Sequence, residues 1–527
     1  MPGVTLLQPD ANGVYGEVPL TRATAEGHLE VALHDPRLPF GEISVESLTP
    51  IFQVDPIYGI NTSEVVTTTG NWSGGAVSSG VTGADNVFTV STGTTAGAFA
   101  SLQSRRRLRY RPGQGLVTRY TALFSTPAAN SILLAGVGTA EATLGFGYNG
   151  TSFGILHSTG GAREVRTLTV TTASTATNDY QVTLNDVAFT VTGASNNGNT
   201  TTTAYQIAQG TFSGWKAYPV GATVVFVKDS AGAASGAYSI GQSGAGTPAA
   251  GSFAQTKAGA GTSDTWIPQA SWNGADILDG NGASGVTLNP AKGNVYQIGV
   301  QYLGFGAITF GIEVVPGGAN NPVFQIVHTI AAPNTRTTTT LTQPSLPFLA
   351  SAYSVTSTTD VSVKVGSAAG FVAGQKRLTG PRFSYFGTAT SSTTAYVPLF
   401  TIRNNYAYGS RANQAVVNLL SASGAAKSNT GLTTFYLLRD ATLSAGSPAF
   451  SNYATTSCTS ADTAATACTI ASNNQILWSA QVAESGNFQF AFSDDITLQP
   501  GETITLAVKS TSATATCIGA LNTREDQ

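Results

Sequence analysis

Arg105, Arg107, Arg109 and Arg111 stand at alternate positions of Arg105-Arg106-Arg107-Leu108-Arg109-Tyr110-Arg111, the only dense run of charge in the sequence. In an extended strand, alternate side chains share one face. Like charges side by side repel, so four guanidinium groups on one face need an acidic counterpart. The pattern is expected to mark a contact with another subunit. An anionic glycan, or plain solvation of a strand face, would also satisfy it. A second constellation is Trp266, Trp272 and Asn273, within Asp264-Thr265-Trp266-Ile267-Pro268-Gln269-Ala270-Ser271-Trp272-Asn273-Gly274. Indole rings stack on the C–H faces of sugars while amides bind hydroxyls, so these residues are candidates for glycan binding. The alternative is that both tryptophans pack where two modules join.

The remaining chemistry is sparse. Asp276-Ile277-Leu278-Asp279-Gly280-Asn281-Gly282 offers too few regularly placed oxygens for a calcium loop and reads as a polar turn. His28, His34, His157 and His328 are scattered, and none lies in a nucleophile, zinc or phosphate-loop motif. No metal or cofactor is expected, and the expectation is a protein that is not an enzyme. A polysaccharide depolymerase stays open, because a glycosidase needs only two carboxylates that can be distant in sequence. Cys458 and Cys468 flank a Thr/Ala/Ser loop and read either as a disulfide or as two thiols; Cys517 reads as a buried strand residue.

Composition points the same way. Only 10% of the 527 residues are charged, against about one quarter in an ordinary soluble domain. The 41% hydrophobic content is enough for real cores, so disorder through low hydrophobicity is excluded. A net charge of −3 argues against nucleic acid, which selects for basic stripes. No window approaches the roughly 20 apolar residues of a membrane span. Met1-Pro2-Gly3-Val4-Thr5 lacks the basic start of a secretory signal, so residence in the producing cell or release by lysis is expected.

The elements that must position these residues are short β-branched stretches bounded by Gly, Pro, Asn or Ser, the signature of strands. Residues 1–64 carry prolines at 2, 9, 19, 36, 39, 50 and 56 and are expected to form an extended anchoring arm. Residues 65–165 and 262–375 read as one β-sandwich, with hairpins across Asn149-Gly150 and Gly304-Phe305-Gly306. Residues 166–261 read as an α+β insert. Its hairpins run Tyr180 to Leu184 with Val187 to Val191, and Trp215 to Val220 with Thr223 to Lys228; a helix is expected over Thr202 to Gln209. Residues 376–527 read as a C-terminal jelly-roll-like sandwich, signalled by the Pro500-Gly501 turn and the alternating strand after it.

Leu144-Gly145-Phe146-Gly147-Tyr148-Asn149-Gly150-Thr151-Ser152-Phe153-Gly154-Ile155-Leu156 resembles a hairpin of the concanavalin A-like sandwich. Val295 to Tyr302 and Phe310 to Val314 resemble a later strand pair of that fold. With its arm, insert and Gly/Ser/Thr/Ala-rich β modules, the chain from about residue 28 onward is similar to tailed-phage virion structural proteins of the tail-fibre, tail-tip or head-appendage type. That resemblance implies a mainly β protein located in the virion. It implies homo-oligomer assembly, with a trimer favoured, and attachment to other virion proteins through the arm. Host surface glycans are a further implied partner. A capsid decoration or head-fibre protein without a receptor is the first alternative, and a depolymerase or free lectin the second.

Overall fold

The computed structural model describes residues 48–527 apart from 73–74, 177–178, 193–197, 243, 318–320, 375–379, 428–430 and 494–495, together with the strands Leu6–Pro9 and Tyr15–Val18. Nearly all of it is antiparallel β-structure. The first unit is a sandwich of two broad sheets. One sheet has the spatial order Ser263–Pro268, Ser152–Thr159, Thr143–Asn149, Ser131–Gly138, Leu346–Ser354, Ala98–Leu108, Val65–Asn71. The facing sheet runs Val323–Ile330, Ile308–Val314, Asn294–Val300, Leu116–Phe124, Ser362–Val365, Val87–Ser91, Gly80–Ala84. Inward positions supply Tyr120, Phe146, Tyr296, Phe310 and Phe348, all buried. Phe146 and Tyr296 meet with ring centroids 4.8 Å apart, and Tyr120 Oη donates to the Ala135 carbonyl at 2.7 Å, so the one polar tip of that residue is satisfied inside the core.

Leu48–Val54 corrects the expected arm. It is an edge strand of the sandwich, paired with Ala368–Ala373, and Phe52 is buried in the core. Pro50 sits opposite Phe371, where the ladder shifts register, so its missing N–H falls at an irregularity. Proline density over 1–64 concealed an apolar edge strand at its end. Tyr58, four residues beyond this strand, is fully exposed. The arm up to residue 47, with His28 and His34, lies outside the described residues apart from the two short strands, which pair with each other.

The insert leaves the sandwich after Ser152–Thr159 and returns as Ser263–Pro268, which pairs with that same strand. Ala162 and Ala260 form a bridge at its base. Inside it, a four-stranded sheet (Trp215–Val220, Thr223–Ala231, Arg163–Thr172, Ala250–Lys257) and a three-stranded one (Val187–Val191, Tyr180–Leu184, Tyr238–Gln242) enclose a core with the helix Thr200–Ala208. The helix begins where Asn199 Oδ1 accepts from Thr201 N at 2.8 Å and Thr202 N at 3.3 Å, satisfying two orphan donors. Ala204 and Ile207 are its buried face.

The C-terminal unit is a second sandwich. Arg382–Thr390, Thr516–Asp526, Val416–Lys427 and Asn487–Ala491 form one sheet. Ser451–Asn452, Thr459–Asp462, Val397–Asn404, Thr503–Ser510, Thr433–Arg439 and Ile476–Val482 form the other. Thr503–Ser510 is buried on both faces rather than alternating. The hairpin of Thr442–Gly446 and Ala465–Thr469 explains this, because Leu443 and Cys468 cluster with Ala507 on the outer side. Cys458, Cys468 and Cys517 are all free and buried. Burial pushes the Cys468 thiol up to about 12 and the Cys517 thiol to about 11, so both stay protonated at neutral pH.

The insert also docks on the C-terminal unit. Tyr218, Val165 and Val227 cluster with Ala412, and Tyr218 Oη donates to the Ala407 carbonyl at 3.2 Å. Arg403 lies over the Phe450 ring at 3.8 Å and reaches the Pro219 carbonyl at 3.4 Å. Three modules therefore meet along the path of the arginine run.

Candidate functional site at the domain junction

The strand Ala98–Leu108 carries the arginines to a cleft of about 620 Å³ between the first sandwich and the C-terminal unit. Its walls include Phe52, Glu64, Arg105, Arg106, Arg439 and Glu502. Arg106 is exposed and Arg105 and Arg107 are partly covered, but the simple alternation breaks here: the ladder to Leu346–Ser354 shifts register, and Ser104 and Leu108 on either side of Arg106 are buried. The acidic counterpart belongs to the same chain, and this corrects the subunit contact proposed for Arg105, Arg107, Arg109 and Arg111. Arg105 Nη1 pairs with Glu502 at 2.7 Å, and its Nε donates to the Thr62 carbonyl at 2.6 Å. Asp526 takes Arg111 Nη2 at 2.7 Å and Arg109 Nε at 3.6 Å. These carboxylates lie 397 and 415 residues from their partners, a distance over which strand periodicity carries no information. Burial pushes the Glu502 carboxyl up, against the pull of the Gln499 backbone N–H at 2.8 Å and of nearby Arg439 and Arg105.

Arg107 differs from its neighbours. Its Nε and Nη1 are shut off from solvent and have no hydrogen-bond partner. Burial is the main cause that lowers it to about 10, and nearby Arg163 adds to this, partly offset by Glu141 and Glu502. It remains charged at neutral pH.

The tryptophan site is also corrected. Trp272 is 6% exposed and packs edge-on against Phe146 and Phe153, with centroids at 5.8 and 6.2 Å. Its Nε1 donates to the Ile267 carbonyl at 3.2 Å, so neither ring face nor N–H is open to a sugar. Asn273 uses its amide to staple the backbone of Thr329: Nδ2 donates to the carbonyl at 2.9 Å, and Oδ1 accepts from N–H at 2.8 Å. Trp266 is partly buried in the strand that returns from the insert, and its Nε1 is enclosed without a partner. The modular junction, not a glycan, explains these residues.

Asp276 is more than a polar turn. It is buried and accepts from Leu278 N at 2.8 Å and Ser284 N at 2.7 Å, which folds the loop around its carboxylate. Gly282 permits this, since a Cβ there would lie 2.1 Å from the Asp276 carboxyl. His157 Nε2 meets the Thr340 carbonyl at 2.9 Å, and His328 Nδ1 accepts from Asn273 N at 3.3 Å. Burial lowers both imidazoles.

Two surface features escaped the sequence reading. Trp72, 53% exposed, stacks on Tyr353 (5.6 Å, 6°) and Phe99 (5.8 Å, 22°). The second is the outer face of the C-terminal sheet. Across its strands run the rows Ser384–Asn522–Ser421–Ala491, Phe386–Ala520–Ser423–Gln489 and Thr388–Ile518–Ala425–Asn487. None of these twelve side chains is charged. Phe386 is 73% exposed and Ile518 54%. The signal was present in sequence, as large apolar residues on the polar phase of an alternating strand.

No family model matches the chain, and no curated protein matches it. Solved structures similar to it include an engineered GH43 glycoside hydrolase with endo-xylanase and exo-arabinofuranosidase activity, at 10% identity and TM-score 0.22, covering 69% of this chain. The chain spans about half (48%) of that enzyme's length. A triple jelly-roll turret structure from an archaeal virus matches at 8% identity and TM-score 0.15, covering 88% of this chain and 89% of the other. A Sulfolobus turreted icosahedral virus structure matches at 9% and 0.15, covering 89% and 91%. Viral jelly-roll proteins are thus among its weak structural neighbours, and at these TM-scores function rests on the chain's own geometry.

Proposed function

We propose that the protein is a structural component of a tailed-phage particle, of the tail-fibre or tail-tip type, that works by assembling with copies of itself, as a trimer, and with other virion proteins. The observation that carries this reading is the exposed, uncharged outer face of the C-terminal sheet. Interface cores are depleted in charge, and on this face Phe386 and Ile518 leave large apolar side chains exposed among uncharged polar ones. Lys427, Arg382 and Arg524 stand at the two ends of the face, as a polar rim would. The arginine run fits the same reading, because its pairing within the chain makes the modules one building block.

The double substitution Phe386→Asp with Ile518→Asp is expected to convert the oligomer to the 53.9 kDa monomer while the melting curve of the monomer is retained. Light scattering after size exclusion measures this. A wild-type protein already monomeric at micromolar concentration defeats the assembly reading. Antibody labelling of intact particles tests location, with gold at the tail expected; gold over the head favours the capsid-decoration alternative.

Attachment to host glycans is the further part of this reading, and Trp72 supports it with an open ring face. Trp72→Ala is expected to lower binding to host cells with the fold unchanged. Equal binding by the variant rejects that part alone.

A further inference from the structure

Asparagine followed by glycine is open to a spontaneous reaction, because no side chain on the second residue shields its backbone nitrogen. That nitrogen loses its proton and attacks the side-chain amide carbon of the asparagine. A carbon–nitrogen bond forms, the bond to Nδ2 breaks and ammonia leaves, which closes a cyclic succinimide. Water then opens the ring at either carbonyl and leaves aspartate or isoaspartate. Water is the sole co-reactant, and nothing is oxidised or reduced.

Three complete pairs of this kind lie within the described residues: Asn149-Gly150, Asn273-Gly274 and Asn281-Gly282. All three asparagines are exposed, so access of water does not separate them. The attacking nitrogen does. Gly150 N donates to the Ser131 carbonyl at 2.8 Å, and Asn149 is paired in the ladder with both Ser152 and Ile132. Gly274 N donates to the Val327 carbonyl at 2.9 Å, and the Asn273 amide is spent on the backbone of Thr329. Gly282 N has no hydrogen-bond partner among the described residues, and its pair lies outside every described helix and strand. The Asp276 carboxylate lies against Gly282 but spends its oxygens on Leu278 N and Ser284 N. The Asn281 side chain makes one bond, from Nδ2 to Asp279 Oδ2 at 3.1 Å. A bonded N–H must first be released by local opening, and a residue fixed in a ladder needs the same opening to bring its side chain onto the next nitrogen.

We infer that Asn281 is a site of spontaneous deamidation in the folded protein, and that the fold protects Asn149 and Asn273 from the same reaction. The inference does not depend on the assembly reading. The product alters the loop it forms in. A carboxylate at 281 no longer donates to Asp279 and faces it as a like charge. The same loop plants Leu278 in the first core, so each aged molecule carries a further negative charge beside a core anchor.

Incubation of the full chain at mildly alkaline pH, followed by peptide mapping with mass spectrometry, tests the site. Paired aspartate and isoaspartate peptides should accumulate at Asn281 about five- to tenfold faster than at Asn149 or Asn273, the factor that one net hydrogen bond supplies. In urea concentrated enough to unfold the chain, the three rates should converge. Ion exchange should resolve a growing acidic peak from the ageing wild type. Asn281→Gln, whose longer side chain would have to close a larger ring, should lack that peak. Equal rates at the three sites in the folded protein overturn the inference, as does faster conversion at Asn149 or Asn273. Rates that stay apart in urea assign the difference to local sequence rather than to the fold and overturn it as well. So does an acidic peak that persists in Asn281→Gln.

Discussion

Replacing Glu164 by leucine is expected to destabilise the insert by about 3–5 kcal/mol, the usual cost of leaving one partner of a buried ion pair alone. Glu164 is wholly buried and Arg166 meets it at 2.6 Å. The same carboxylate accepts from Ala234 N at 2.9 Å, Gln255 Nε2 at 3.0 Å and Gly259 N at 3.3 Å. It thus ties two separate segments of the insert, at Ala234 and at Gln255 to Gly259, to one strand, Arg163–Thr172. Urea unfolding with hydrogen exchange read over 180–191 should show the insert opening early while the C-terminal sandwich stays protected. Acid should act in the same direction. Burial alone would raise this carboxyl, but hydrogen bonds from Ala234, Gln255, Gly259 and Arg166 outweigh it and hold the group below its ordinary value. A depressed acid contributes fully above its unfolded pKa of about 4.3 and loses that contribution as pH falls through the folded value. The stability gap between wild type and Glu164→Gln should therefore narrow in acid. A gap that widens on acidification, or a Glu164→Leu protein as stable as wild type, contradicts the network.

The second large effect is at Trp272. Truncation to alanine leaves a cavity beside Phe146 and Phe153 in the first core and is expected to cost about 3–5 kcal/mol. Trp272→Phe should cost less: it keeps a ring but removes the donor to Ile267, worth about 1 kcal/mol. Equilibrium unfolding of both variants separates the packing and hydrogen-bond parts. A sugar platform behaves oppositely, losing ligand while its melting is unchanged.

Local signals in the sequence located elements well. Asn185 and Asp186 adopt φ of 52° and 67°, the left-handed pair that a two-residue hairpin needs, and the strands on either side match the expected Tyr180–Leu184 and Val187–Val191. The helix starts two residues earlier than expected because Asn199, not a threonine, is its cap. The hairpin expected across Asn149-Gly150 forms one residue later: Asn149 pairs with Ser152, and Gly150, at φ 57°, and Thr151 make the turn. What escaped were meetings of distant segments. Asp526 at the far end of the chain neutralises Arg111, and Trp272 turns inward because Phe146 and Phe153 receive it. Neither fact has a local cause. Leu48–Val54 was obscured differently, since its one proline, Pro50, continues the proline spacing of the preceding residues and only Ala368–Ala373 gives it an edge to join.

The base of the insert has a consequence for the history of such chains. Ala162 and Ala260 face each other across a bridge, and Ser263–Pro268 resumes beside the strand that preceded the departure. Everything between those two alanines can be exchanged by recombination without shifting the register of the host sheet. A replacement must still reproduce the contacts that seat the insert: Tyr218, Val165 and Val227 against Ala412, the Pro219 carbonyl on Arg403, and Arg163 on Glu141. Lineages sharing this architecture should therefore diverge most freely in the three-stranded sheet Val187–Val191, Tyr180–Leu184, Tyr238–Gln242, whose residues take no part in those contacts.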